Sequence, residues 1–435
     1  MRTRNVKEFG ATGGGTTLDT VAIQTAIDAG GLVYFPPGVY LSGTLYLRSN
    51  GGLELSPGAI LRGSPNLADY NPADFVPQNS ASKAEVTSGG HLIAAVECSN
   101  IVLCGGGTID GNHPAFLNET DPECPLMYRR IARPGQMVFL CECTDVRIQD
   151  LNLKNSPYWT CFLHGCEEVT IHGLHIQSDP RVLNDDGIDL DCCRRVTVSD
   201  CIISTGDDAL TLRGNNSRLK QKRDCCEIVV TNCILESHYA NAIRVGVGCG
   251  EIHDALFENI IVPGYRTAIS LVSNWSNDPA SSVGAEIHDI EFRNIRSHAR
   301  RFLQIKLDNA PEGNAHTSAT LHGIMIQHVR GTMELSNMLR GNGAGKLYDI
   351  TLDDIRLNCR GNGPAPELDF KGAWGHASTD AAFELNHADE IEFRNVRIDY
   401  APEACGWHAD IRATHSTFHT TMCKFSLGFQ PESTR

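Results

Sequence analysis

The 435-residue sequence contains no apolar run of the ~20 residues that a membrane-spanning helix requires, so no membrane partner is expected. Its opening segment, MRTRNVKEFGATGGG, lacks the apolar stretch of a secretory signal, which predicts a cytoplasmic chain unless the sequence is a processed form. A basic excess is also missing. Lys and Arg number 37 against 52 Asp and Glu, a formal net charge of −15. Phosphate backbones are held by basic patches, so nucleic acid is not an expected partner. The same charge disfavours a polyanionic substrate unless a local basic site overrides the global field. Cysteine is plentiful at 17 residues, but no CxxC spacing marks a zinc site, and the chain is too long for a disulfide-stapled miniprotein. Free thiols acting as small buried hydrophobes are expected instead. No 10- to 15-residue amphipathic pattern separates the apolar segments, which disfavours a βαβ fold.

What the sequence does contain is a repeat. A unit of form apolar-x-apolar-x-[Asp/Asn/Gly]-apolar occurs as VRIQDLNL from Val146, VTIHGLHI from Val169 and VTVSDCII from Val196. It recurs from Ile228, Ala255, Ile290, Ile324, Ile350 and Ile391, at intervals between 23 and 41 residues, with a weaker copy at Ile101. Period-two alternation makes each unit a strand, and the fifth position makes a bend. Irregular intervals argue against a propeller, whose blades keep a steadier period. The expected fold is all-β: a single-stranded right-handed parallel β-helix whose stacked coils bury a continuous Val, Ile, Leu and Cys core. One domain over 1–435 is expected, with a cap at 1–30, coils over about 31–400 and a C-terminal cap or tail over about 401–435. TTLDTVAIQTAIDAG predicts a capping helix near 18–29, with Asp19 as N-cap, Gly30 as stop and Val21, Ala22, Ile23, Ala26 and Ile27 as its apolar set. The preceding GATGGG fits no nucleotide-loop pattern and reads as a turn.

Carboxylates crowd two points of the repeat, at Asp185, Asp186, Asp189 and Asp191, and again at Asp207 and Asp208. Turn chemistry explains some of them, and Asp189 and Asp191 are assigned to it. Asp186 and Asp207, 21 residues apart, fall about one coil from each other on one surface. Asp208 joins them only if Gly206-Asp207-Asp208 is a bend rather than straight strand. Three carboxylates so close would repel, leaving one protonated acid beside ionised bases. A solvent-open cleft is expected to hold them.

At these residues the chain resembles glycoside hydrolase family 28, the polygalacturonase family. NDDGID and STGDDAL are similar to its NTDG and GDD motifs, and FGATGGGTTLDTVAIQTAIDAGG, VYFPPGVYLSGTLYLRSN, GAILRGSPNLADY, GGGTIDGN and NSPYWT follow its order over roughly residues 5–275. The resemblance implies glycosidic hydrolysis with inversion, without metal or cofactor. It implies Asp207 as general acid, with Asp186 and Asp208 holding and activating the water. An inverting pair stands ~6.5–9.5 Å apart, a spacing that one to two rungs would supply.

The pattern also breaks. Where the family carries GHG, this chain has Ala240-Asn241-Ala242, and Asn241 cannot carry charge at neutral pH. His238 lies three residues earlier. The family's Arg-Ile-Lys is absent from GYRTAISLVSN, although Arg266 is close by. Candidate substrate contacts are therefore Asn184, Arg213, His238, Asn241, Arg244 and Arg266, with Trp159 and Trp275 as stacking platforms. A pectic or related oligo- or polysaccharide is the expected substrate, with galacturonan disfavoured because the carboxylate-binding residues are the missing ones. Two alternatives use the same fold. A polysaccharide lyase would use the aspartates for Ca²⁺; a non-catalytic carbohydrate-binding β-helix would have lost activity with its His.

Overall fold

Alternation in the repeat decides what points inward. In the unit at Val146 the first and third side chains, Val146 and Ile148, are fully buried, as are Val169 and Ile171, then Val196 and Val198. The computed structural model describes residues 2–273, 284–307, 319–343, 345–361 and 378–431. These form a right-handed parallel β-helix. The chain divides into two compact units, Met1–Thr211 with Asn216–Arg223 and Leu212–Asn215 with Asp224–Arg435.

The first unit stacks three columns of parallel strands. One holds Val138–Cys141, Cys161–His164 and Ile188–Asp191. The second holds Ser99–Cys104, Thr144–Gln149, Glu167–His172 and Arg194–Ser199. The third holds Thr108–Asp110, Asn152–Lys154, His175–Gln177 and Ile202–Thr205. Strict register aligns Val146 with Val169 and Val169 with Val196, so like residues stack along the core. Each such side chain contributes roughly 1.5–3 kcal/mol through burial. Cysteines obey the same register: all 17 are free, and Cys143, Cys166 and Cys193 are buried on successive coils.

The second unit continues the pattern within itself. Cys226–Thr231, Ala255–Val262, Glu286–Ser297, Leu321–Met333, Tyr348–Cys359, Asp389–Arg394 and Phe418–Thr421 pair in parallel order. Val230, Phe257, Phe292, Ile326, Leu352 and Phe393 form one buried column there.

The fifth residue of every full unit bends the chain through the left-handed region. Asp150, Gly173, Asp200, Asn232, Asn259, Asn294, His328, Asp354 and Asn395 have φ between 49° and 63°. Asp and Asn tolerate that region better than other residues with a Cβ, which is why they recur. A second bend escaped the sequence reading. Glu168, Arg195 and Glu227, each immediately before a unit, also have φ between 52° and 56°. Glu and Arg carry no turn signal, and the stacked register holds them there at a local cost of roughly 1–2 kcal/mol each.

At the N-terminus the only α-helix among the described residues, Thr20–Asp28, packs on the first coil through Ile23, Ala26 and Ile27. Val21 is exposed and outside that apolar face. Asp19 occupies the N-cap position but makes no capping bond; its carboxylate instead accepts from Thr12 N–H at 2.8 Å and Gly13 N–H at 3.0 Å. GATGGG is thus tied back as a turn. Gly30, at φ 79°, ends the helix as expected. No helix among the described residues is long and apolar enough to cross a membrane.

Candidate active site

Two corners of consecutive coils build the site in the first unit. NDDG leads into the strand Ile188–Asp191, and GDD lies between strands ending at Thr205 and starting at Leu210. Gly187 N–H donates to Asp208 O at 2.9 Å, which sets one corner directly on the other. The expected bend at Gly206-Asp207 is present. Its glycine is needed for space rather than for a left-handed φ. A Cβ there would sit 2.7 Å from Asp185 Oδ1, 2.9 Å from Pro180 O and 3.0 Å from Val182 O.

Asp186, Asp207 and Asp208 converge. One carboxylate oxygen from each lies within 4.8 Å of the other two. Asp207 is half-buried, whereas Asp186 and Asp208 are only 2% and 8% exposed. The expectation of three surface groups in an open cleft is therefore corrected: burial hides two of them. Oxygens so spaced leave a point above their centre about 2.8 Å from each, a hydrogen-bonding distance for water. Asp208 N–H donates to Asp207 Oδ1 at 3.0 Å, and Asn184 Nδ2 donates to Asp207 Oδ2 at 3.5 Å.

Asp189 and Asp191 are not turn residues. Both lie in the strand Ile188–Asp191 and are buried, in register with Phe162 and His164.

Two residues that sequence reasoning left unassigned organise the corner. Asp185 is fully buried and accepts Gly206 N–H at 3.0 Å and Asp207 N–H at 2.8 Å. Burial pushes its carboxyl up to about 7, against the pull of those two N–H groups and of the Arg133 guanidinium. The signal was available: Asp185 stands where the NTDG pattern has a hydroxyl residue. Arg133 gave no signal. It is fully buried, and its Nη1 donates to Leu183 O at 2.7 Å and Pro157 O at 2.8 Å, tying down the chain just ahead of Asn184.

The other candidates lie in the second unit. Arg213 and Arg244 are buried. Arg244 Nη1 donates to Val245 O at 2.6 Å and Val272 O at 2.8 Å, and Arg266 Nη1 donates to Tyr239 O at 2.8 Å. His238 lies on the Tyr265 ring at a centroid distance of 3.9 Å, and Asn241 is in register with Thr267. In the first unit Trp159 stacks on Tyr158 at 4.9 Å and packs on Phe162 at 5.1 Å, which gives it a packing role. Trp275 lies outside the described residues.

Residues 73–228 match the family described as glycosyl hydrolases family 28, and residues 3–96 match rhamnogalacturonase A/epimerase, pectate lyase-like. A probable polygalacturonase of Vitis vinifera is 26% identical, covering 61% of this chain and 55% of that protein. An exo-poly-alpha-D-galacturonosidase of Dickeya chrysanthemi is 26% identical, covering 95% of this chain and 70% of that protein. The chain thus spans little more than half the length of the grape relative. A Thermotoga maritima exopolygalacturonase shares the fold at 16% identity and TM-score 0.60, over 99% of this chain and 90% of that one. The match at 73–228 contains both aspartate corners, and over that segment the chain is similar to glycosyl hydrolases family 28.

Proposed function

We propose that this protein hydrolyses glycosidic bonds of a pectic or related oligo- or polysaccharide, with Asp207 as general acid and Asp186 and Asp208 holding the attacking water. The observation that carries this reading is the convergence of the three carboxylates from two stacked corners. Positioned proton transfer of this kind contributes about 10²–10⁴-fold to a rate. Asp207 is the one member of the trio that is not buried, so it is the one that can meet a leaving-group oxygen arriving from solvent. Asp186 and Asp208 sit deeper, where a water rather than a sugar oxygen fits between them.

Galacturonan is a poor substrate in this reading. Asn241 and the missing Arg-Ile-Lys remove cations that would grip a uronate, and the Arg266 guanidinium already donates to a backbone carbonyl. The test is release of reducing ends from a panel of neutral and acidic pectic oligosaccharides, by the wild type and by Asp207→Asn. Hydrolysis lost in the variant supports the assignment. An unsaturated product absorbing in the ultraviolet would replace it with a lyase, and no turnover on any member with retained sugar binding would replace it with a binding protein.

A further inference from the structure

We propose that the second unit carries a divalent transition-metal site, of the kind that takes zinc, built from Asp224, Glu251 and His253, with His288 stacked against it. This inference is independent of the proposed hydrolysis. Parallel register creates the arrangement. Glu251 pairs with Glu286 and His288 with His322 along the coils, and the bridge of Cys225 to Ile252 sets Asp224 beside Glu251. Carboxylates therefore stack in one column and imidazoles in the next. His253 and His288 lie face to face at 4.9 Å with 6° between their planes.

Both rings have the same nitrogen spoken for. His253 Nδ1 is 2.8 Å from Asp254 Oδ2, and His288 Nδ1 is 2.9 Å from Asp289 Oδ2. A carboxylate on Nδ1 fixes the tautomer that leaves Nε2 as a lone-pair donor, the arrangement found behind metal-bound histidines. Those Nε2 atoms face the carboxylate column: His253 Nε2 is 3.9 Å from Asp224 Oδ2, and His288 Nε2 is 3.7 Å from Glu251 Oε2. One ligand atom each from Asp224, Glu251 and His253 lies within 4.8 Å of the others. Zinc bond lengths of ~2.0–2.2 Å put tetrahedral ligand atoms roughly 3.3–3.5 Å apart. Inward side-chain movements of up to about 1.5 Å would bring Asp224, Glu251 and His253 onto one ion, with water completing the shell, while His288, stacked on His253, holds Glu251 from the far side. The carboxylates are about half exposed and the imidazoles about one-fifth exposed, so an ion has a path from solvent onto held rings.

Stacking alone does not account for the pattern. The imidazole column continues to His322 and then Tyr348, at 5.2 and 4.8 Å. At His322 the following residue is Gly323, which takes the same left-handed bend as Asp254 and Asp289, so the backbone does not demand an aspartate there. The carboxylate column ends at the same coil, because Glu286 already accepts the N–H and hydroxyl of Thr320. Tautomer-fixing aspartates and free-standing carboxylates thus occur together at two rings and vanish together at the third. Imidazole and carboxylate donors without thiolate suit zinc and its neighbours rather than calcium.

The test is calorimetric titration of the untagged full chain with zinc chloride, alongside the visible spectrum of added Co²⁺. Saturable binding with a tetrahedral Co²⁺ spectrum is expected. It should weaken at least tenfold in His253→Gln/His288→Gln and about tenfold to a hundredfold in Asp254→Asn, which leaves all three ligands in place. Should the double variant not fold, Asp224→Asn, an exposed site, serves in its place. Absence of saturable binding to the wild type overturns the site. So does binding that persists in these variants and is lost in Asp186→Asn/Asp208→Asn, since the ion would then sit on the first unit's aspartates.

Discussion

Asp185 Oδ1 accepts the backbone N–H of Asp207 at 2.8 Å, while its Oδ2 accepts that of Gly206 at 3.0 Å. A buried carboxylate on one coil thus sets the peptide that aims the proposed acid on the next. Asp185→Asn keeps one acceptor and turns the other into an N–H donor facing an N–H. Loss of roughly 1–3 kcal/mol of stability is expected, with kcat falling more than KM rises, because the acid is misaimed and the substrate contacts remain. Denaturant melts with steady-state kinetics measure both.

The same group gives a pH signature. Its folded pKa of about 7 lies above its ordinary value of 3.8, so the folded chain holds this proton more tightly than the unfolded chain. The group's contribution to stability is greatest below pH ~4 and declines as pH rises to about 7. Unfolding free energy measured from pH 4 to 8 should therefore fall more steeply in the wild type than in Asp185→Asn. Parallel curves would remove Asp185 from the account.

Asp207→Asn should lower kcat by roughly 10²–10⁴-fold, the range for a positioned acid. Its half-buried site leaves the melting curve close to wild type. Full activity of this variant on a substrate with a poor leaving group would mean that another residue donates the proton.

Inversion is expected, because the space between the three oxygens fits a water. Proton NMR of the first product reads the anomer directly. A retained anomer would make one aspartate a nucleophile, the arrangement usual for carboxyl groups ~5–5.5 Å apart.

Loss of two charge-assisted contacts, each worth ~1.5–3 kcal/mol, predicts roughly 10²- to 10⁴-fold weaker recognition of an internal galacturonate. Comparison of kcat/KM on oligogalacturonides with neutral or rhamnose-containing oligosaccharides tests this. A preference for the oligogalacturonides would show that a basic residue has taken over the uronate contact.

Gly206→Ala places a Cβ against Asp185 Oδ1 and two backbone carbonyls. Overpacking of that kind costs typically ~1–3 kcal/mol, and here it also displaces the Asp207 peptide. A lowered melting temperature together with reduced kcat is the expected result, whereas an unchanged kcat would show that the corner tolerates the shift.

The amino-acid sequence by itself determined the β-helix, because alternation and a bend every coil are local properties repeated many times. It also determined which corners carry the aspartates, since one coil of separation is a count along the chain. Residues such as Glu168 and Arg195 were illegible as bends because stacking, not their own preference, holds them left-handed. Asp189 and Asp191 looked like turn formers and became buried strand residues, because the strand begins at Ile188, directly after the corner. Only the tertiary structure decided that Asp186 and Asp208 are buried, that Asp185 and Arg133 brace the corner, and that two imidazoles and two carboxylates meet in the second unit. Each of these depends on which residues of different coils fall in register, and register is fixed by the whole stack rather than by any short segment of it.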